Sequence, residues 1–341
     1  MSATSSAEAQ SRQDEWRTMP IARQAEDLAA ALCSLSAGTG AHAILLHFTG
    51  YGYQKRGLPL WLVSGLKDTR RRAPNVQLIT IFHELYATGR PWQSAFWLSP
   101  VQKQIARSIL RLSSAAITPT NLGRKRLLEW LTAGCGKTIT AMPVFSNVGE
   151  PGPGLHPLAR AATAVVFGLT GVEDRLFGTY RSDLERIVTT LGIKSILDIG
   201  PRASPLPSAL AGASIVSKGA LPQAAVSELL HQARFGFIAY PVDVIGKSGV
   251  FAAYAAHGVV PIVLSDADRL ASLDGLRPNQ HFIDGIRLKS DGDVGDLGSI
   301  QAELLEWYAL HALPMQADCL ANLIRAVPPQ AGADDNCEHS V

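Results

Sequence analysis

Arg234-Phe-Gly-Phe-Ile-Ala-Tyr-Pro-Val-Asp-Val-Ile-Gly-Lys-Ser-Gly-Val-Phe-Ala-Ala-Tyr-Ala-Ala-His-Gly-Val-Val-Pro-Ile-Val-Leu264 reads as strand, glycine loop, helix, glycine stop, strand. Phe235 to Tyr240 is an apolar run of strand length. Gly246-Lys247-Ser248-Gly249 is a turn carrying one cation and one hydroxyl. Val250 to His257 is small and apolar, as suits a helix buried against a sheet. Gly258 stops it, and Val259 to Leu264 is a second buried strand. In such a unit the loop lies at the carboxyl end of the first strand. The helix N-terminus, with unpaired N–H groups and partial positive charge, points into the crevice. Lys247 and Ser248 there suit a phosphate. A buried βαβ unit with a solvated lysine is the alternative that the loop alone leaves open.

The same alternation extends back through the second half. Ala164 to Phe167 is a strand, followed by a glycine turn from Gly168 to Gly171. Tyr180 to Leu191 is a helix, Lys194 to Ile199 a strand, and Ser214 to Ser217 a short strand leading into Lys218-Gly219. Pro222 to Gln232 is a helix, and Ile300 to His311 and Asp318 to Ala326 are terminal helices.

The first half follows the same plan. A helix over Gln24 to Leu35 precedes a strand, Ala43 to Phe48, that carries His47 near its end. The loop Thr49 to Gly57 holds Gly50, Tyr51, Gly52 and Tyr53, and a helix runs from Leu58 to Arg71. The strand Val76 to Phe82 delivers His83-Glu84 to its carboxyl end. Tyr86 to Leu98 reads as an aromatic loop. Ser99 is the expected cap of a helix over Pro100 to Leu112, and Asn121 of one ending near Leu131. Ala115 to Thr118 and Thr138 to Met142 are strands. The run Pro143 to Pro157, dense in proline and glycine, is the expected hinge. Residues 1–40 are then a disordered start and leading helix, 41–150 and 151–328 two Rossmann-like domains, and 329–341 a polar tail. Alternating strands and helices predict an α/β fold with two doubly wound parallel sheets and ligands at the strands' carboxyl ends.

Composition narrows the function classes. The chain has 341 residues, 47% of them hydrophobic and 18% charged, which is a soluble globular balance. A net charge of +2 gives no pull toward nucleic acid. No apolar run has the length of a membrane span, and the polar start lacks the apolar core of a secretion signal. The four cysteines, Cys33, Cys135, Cys319 and Cys337, are widely spaced, which suits the cytoplasm and neither a disulfide framework nor a zinc site. No metal site is expected. Leu131-Thr-Ala-Gly-Cys-Gly-Lys-Thr138 imitates a P-loop ending, but Leu131 stands at the first glycine position and a strand follows.

His83 and Glu84 are the candidate catalytic pair. A histidine at a strand's carboxyl end can bind a substrate hydroxyl or phosphate, and its neighbour can orient it. A histidine bonded to a backbone carbonyl is the structural alternative. His47 with Gly50, Tyr51, Gly52 and Tyr53 is the candidate acceptor loop, since glycine admits close approach and aromatic rings stack on sugars. An ordinary βα turn with packed tyrosines is equally consistent with it. Trp92, Phe96 and Trp97 read as a cluster covering the domain, with an acceptor or peripheral membrane contact as the other reading.

With this layout in view, the chain resembles the GT-B glycosyltransferases, and within them the large retaining family (family four, glycosyltransferase group 1) of bacterial polysaccharide transferases. Lys218 to Leu230 resembles the family's segment before the donor-site strand. Gly246 to Val263 resembles its donor helix and the strand after it. Thr80-Ile-Phe-His-Glu84 resembles the N-domain strand ending in histidine, Ala115 to Thr120 the next strand, and Pro143 to Gly149 the hinge. The resemblance covers roughly residues 40 to 325. It implies a nucleotide-diphosphate sugar as donor substrate, no other cofactor, and a glycan or lipid-linked acceptor. The diphosphate would lie at Gly246, Lys247, Ser248 and Gly249 and near Gly168, with Lys218 and Arg175 in reach. His83 would stand beside the sugar, and transfer would proceed without a protein nucleophile. It further implies surface-polysaccharide synthesis in the cytoplasm or at the inner face of the membrane. Three departures stand out. The family's two donor-site glutamates fall on Ile245 and Ala253. Its arginine after the second domain's first strand falls on Leu169, with Arg175 as a substitute. Its opening strand and glycine loop have no clear counterpart. A non-catalytic relative or partner subunit is therefore the alternative. A sugar-nucleotide epimerase, the third reading, would need more carboxylates in the cleft.

Overall fold

The structure is a computed structural model, and it describes residues 19–39, 43–89, 92–132, 135–152, 154–168, 175–201, 205–265, 274–289 and 294–326. Most of the polar start, the tail from Pro328, Leu169 and the glycine turn as far as Gly171 lie outside these residues.

Strands β1 (Ala43–Phe48), β2 (Gln77–Phe82), β3 (Ala115–Thr118) and β4 (Thr138–Ala141) form a parallel sheet in the order β1-β2-β3-β4. Helix α1 (Ala25–Thr39) precedes β1, and α2 (Leu60–Arg72), α3 (Ser94–Leu112) and α4 (Asn121–Leu128) fill the three crossovers. A sheet that steps one way through right-handed crossovers collects its helices on one face. On that face Leu78, Phe82 and Ala116 pack with Ile105, Ile109 and Leu127.

The second sheet has seven strands: β5 (Ala161–Phe167), β6 (Ser195–Ile199), β7 (Ala209–Leu210), β8 (Ala213–Gly219), β9 (Ala233–Ile238), β10 (Val260–Val263) and β11 (Ile283–Asp284). Their order is β11-β10-β9-β5-β6-β8-β7, parallel except for β7 against β8. The chain steps outward from β5 to β6 and β8, then returns to the other side of β5 as β9. That reversal is the topological switch point, where the crevice opens beyond the carboxyl ends of β5 and β9. The helices of this half are α5 (Arg181–Thr190), α6 (Gln223–Gln232), α7 (Gly249–Ala256) and α8 (Leu297–Ala309).

Helix α7 explains its own composition. Residues Phe251 to Ala256 are all buried, so the helix needs no polar face. Its alanines let it press on the sheet. Tyr254 spends its hydroxyl on the carbonyls of Val165 and Phe237, at 3.1 and 3.2 Å. The ring lies over Gly236, where a Cβ would come within 2.6 Å of it, so a side chain at 236 would expel the tyrosine.

The last helix, α9 (Leu313–Ala326), returns to the first sheet. It packs on the N-terminal sheet through Leu320 and Leu323, against Ile79, Ala115 and Ile117. One-way winding leaves that sheet face without crossover helices, and α9 covers it. Some local expectations shift. Helix α3 begins at Ser94 and runs through Pro100, so Ser99 caps nothing and Phe96 lies within the helix. Thr120, not Asn121, caps α4, its hydroxyl accepting the Gly123 N–H at 3.0 Å. Trp92 and Trp97 stand 74% and 69% exposed, so they do not cover the domain. Among the described residues no helix is long and apolar enough to cross a membrane.

Candidate active site

The cleft lies between the carboxyl ends of the two sheets, and its N-terminal wall is set by strand register. His47 pairs with Ile81 and Phe48 with Phe82, and the His83 N–H extends the ladder onto the Phe48 carbonyl at 3.0 Å. Side chains two apart on a strand share a face. His83, two residues beyond Ile81, therefore stands diagonally beside His47. Their rings lie nearly parallel and edge to edge, with 5.3 Å between centroids and 17° between planes, and His47 Nδ1 lies 3.0 Å from His83 Nε2. Burial pushes the His83 pKa down; the neighbouring His47 and Lys247 push it the same way, and Glu84 opposes them.

Lys247 belongs to the other domain's wall. It ends a 3-10 turn, Val242–Lys247, that leads directly into α7. Ser248 is the cap of α7, its hydroxyl accepting the Phe251 N–H at 3.2 Å. The Ser248 oxygen is thus engaged as an acceptor, and its own proton is what remains to donate. Gly249 opens toward the linker, with Asn147 the nearest side chain. Gly246 is not in an open loop. It is buried where the domains meet, its carbonyl accepts the Val144 N–H at 2.9 Å, and a Cβ there would lie 3.0 Å from the Pro119 carbonyl.

Gly168 follows β5 at the switch point, and Arg175 reaches the same place, its guanidinium 3.4 Å from the Ala239 carbonyl just past β9. Gly168, Gly200 and Gly219 end three adjacent strands and are linked in series: the Gly168 N–H donates to Ile199 and the Gly200 N–H to Gly219. A Cβ on Gly200 would strike the Gly168 carbonyl oxygen. Lys218 is exposed near the end of β8, two strands from β5 and so about 10 Å from the switch point.

The segment read from the sequence as a loop is one turn of helix, Gly50–Tyr53, followed by a 3-10 turn, Lys55–Gly57, and it has an open part and a structural part. Gly50 and Tyr51 line a shallow pocket with Phe48, Gly57, Glu84 and Gln102. Tyr51 is half exposed and its hydroxyl accepts from Gln102 at 3.2 Å. Gly52 is exposed. Tyr53 turns inward, donating to the His47 carbonyl at 2.9 Å and packing beside Phe48 and Trp61.

Two cleft residues were not singled out from the sequence. Tyr240 ends β9's extension; burial raises its pKa, with Glu84 and Asp243 acting the same way and Arg175 against them. Asp243 has a buried Oδ1 with no hydrogen-bond partner among the described residues. An acid inside a glycine-containing loop after a strand was the available signal. Among the described residues no three His, Cys, Asp or Glu side chains gather where they could hold a metal ion.

No known protein family matches the sequence, and no curated protein does. Solved structures do match. A trehalose 6-phosphate synthase from Burkholderia multivorans superposes with a TM-score of 0.57 at 13% identity, covering 89% of this chain and 74% of that one. An α-glucosyltransferase solved with UDP-glucose and DNA superposes with a TM-score of 0.55 at 10% identity, covering 89% and 84%. TarM does so with a TM-score of 0.54 at 12% identity, covering 87% and 58%. The chain has the fold of the GT-B glycosyltransferases, two Rossmann-like domains about a cleft.

Proposed function

We propose that the chain is a glycosyltransferase that takes a sugar from a nucleotide diphosphate to the hydroxyl of a glycan or other acceptor. The observation that carries this reading is Lys247 at the entry to α7, just beyond the carboxyl end of β9 at the switch point. The start of α7 offers unpaired N–H groups and the positive end of its dipole, and Lys247 adds a full charge. A leaving diphosphate is stabilised there, while His83 and Glu84 meet the sugar and the incoming hydroxyl. Gly168 and Arg175 bound the diphosphate from the switch point. Gly50, Tyr51 and Gly52 face the acceptor. UDP-glucose, the ligand of one structural neighbour, is the first donor to test.

A place in surface-polysaccharide assembly at the inner face of the membrane belongs to the same reading, with exposed Trp92 and Trp97 as the peripheral contact. The DNA in that neighbour's structure supports including DNA in the acceptor screen. The experiment is mass spectrometry of products after incubation with UDP-glucose, GDP-mannose or ADP-glucose and a panel of glycans, lipid-linked sugars and DNA. One hexose added to one acceptor supports the reading, and no turnover of any nucleotide sugar, with an acceptor or with water, argues against it.

The second reading is a non-catalytic relative that binds a nucleotide sugar or serves a partner. It is favoured by Ile245 and Ala253, both wholly buried at the positions where the resembled family carries glutamates. Asp243 brings a carboxylate to the same wall. Nucleotide binding without turnover under all screened conditions selects this second reading.

A further inference from the structure

We propose that His47 is a positioning residue that acts through His83: its ring takes the Nε2 of His83 in a hydrogen bond, which fixes the tautomer His83 presents to the cleft and limits the pair to one shared proton. The inference rests on the reading of His83 as the group beside the transferred sugar.

The geometry is imposed by the sheet. The β1–β2 register puts the two histidines on one face at diagonal positions, and the near-parallel rings bring Nδ1 of His47 to 3.0 Å from Nε2 of His83. Tyr53 clamps the first ring's backbone by donating to the His47 carbonyl at 2.9 Å. An N–H···N bond needs one nitrogen protonated and the other bare, so each ring's proton placement is tied to the other's. With Nε2 of His83 engaged, Nδ1 is its remaining nitrogen for a ligand. Lys247 faces the pair from the other domain and Glu84 flanks it; a second imidazolium is disfavoured by the first ring and by Lys247, and favoured by Glu84. His47 is therefore more than a lining residue of the acceptor loop. It decides whether His83 donates to a ligand oxygen or accepts from a ligand hydroxyl.

The test is nitrogen-15 NMR of the imidazoles in the full-length chain, assigned with His47→Phe and His83→Asn. The expected result is a single His83 tautomer in the wild type, with its two nitrogen shifts well apart and its titration below that of an ordinary histidine. In His47→Phe the two shifts should converge and the titration should move up. His47→Asn, whose amide can occupy the Nδ1 position, should restore the single tautomer. In parallel, UDP-glucose turnover with water as acceptor should fall at least about tenfold in His47→Phe with its KM unchanged, and recover in His47→Asn. Unchanged His83 signals in folded His47→Phe overturn the proposal. A chain with the coupled signals but no turnover of any nucleotide sugar overturns the transferase reading on which it rests.

Discussion

The Tyr308 hydroxyl donates to the Glu150 carboxylate at 2.5 Å and accepts the Ser146 N–H at 2.8 Å, so one phenol of α8 holds two points of the interdomain linker. Glu150 also accepts the Leu313 N–H at 2.9 Å, where α9 sets out toward the N-terminal sheet. Burial, with the Glu150 charge adding to it, raises the Tyr308 pKa, so the phenol stays a donor throughout the neutral range. Tyr308→Phe strands the buried Ser146 N–H and should cost about 1–3 kcal/mol. Urea unfolding measures it, and a change within 0.5 kcal/mol (about the scatter of surface substitutions) would contradict the assigned role.

Gly200 supplies a contrast between two left-handed glycines. Its φ is +142° and a Cβ would collide with the Gly168 carbonyl, whereas Gly152 has φ +89° and open space around it. Gly152→Ala should cost only the backbone strain, about 1 kcal/mol. Gly200→Ala should cost more and also weaken nucleotide binding, because the displaced strand end belongs to the floor of the proposed site. Calorimetry and thermal unfolding on the two variants separate the effects.

His257 sets a pH dependence. It is fully buried, with Nδ1 2.8 Å from the Ala253 carbonyl and Nε2 2.8 Å from Ser227 Oγ. Burial, reinforced by His231 and Arg160, pushes its pKa from 6.5 down to about 4. The unfolded chain therefore binds a proton that the folded chain refuses. Stability is full above pH 6.5, falls as the pH drops from 6.5 to about 4, and levels off below that as far as this group is concerned. His311, also pushed to about 4 by burial, acts in the same direction. Unfolding free energies from urea titrations at pH 7.5 and pH 5 should differ by about 1 kcal/mol or more, and His257→Gln should flatten part of that slope.

In the proposed transferase reading, Asp243 meets the sugar rather than the nucleotide. Its unpartnered buried oxygen can take a hydroxyl of the transferred hexose. Asp243→Asn should leave UDP affinity unchanged and weaken UDP-glucose about tenfold, roughly 1.4 kcal/mol. Equal weakening of both ligands would instead show a general disturbance of the loop.

Much of the fold was legible because strand length and apolar runs survive without tertiary context. The sequence reading of β1 and β3 matches the observed ends residue for residue, and the other long strands agree within about three residues. The two-residue strands β7 and β11 carry no periodic signal and were missed. Helix α3 starts before Pro100 because the chain stays helical where proline removes one N–H, which local rules treat as a stop. The one-way order of the first sheet, and the return of α9 to its bare face, depend on which strands pair. No local pattern encodes that. The positions of Lys247 before a helix start and of His83 after a strand end were legible. The roles of Gly246 and Tyr53 were not. Gly246 is fixed by Pro119 across the domain contact, and Tyr53 by the His47 carbonyl, and both partners are set by three-dimensional packing.

The proposed transferase reading requires a diphosphate site at Lys247 and the start of α7. Calorimetric titration of UDP, GDP and ADP, with and without their sugars, into the wild type and Lys247→Ala tests it most directly. The expected result is saturable binding of one nucleotide, weakened at least tenfold (about 1.4 kcal/mol) by the substitution. Binding that Lys247→Ala leaves untouched, or no binding of any nucleotide by the folded chain, would contradict it.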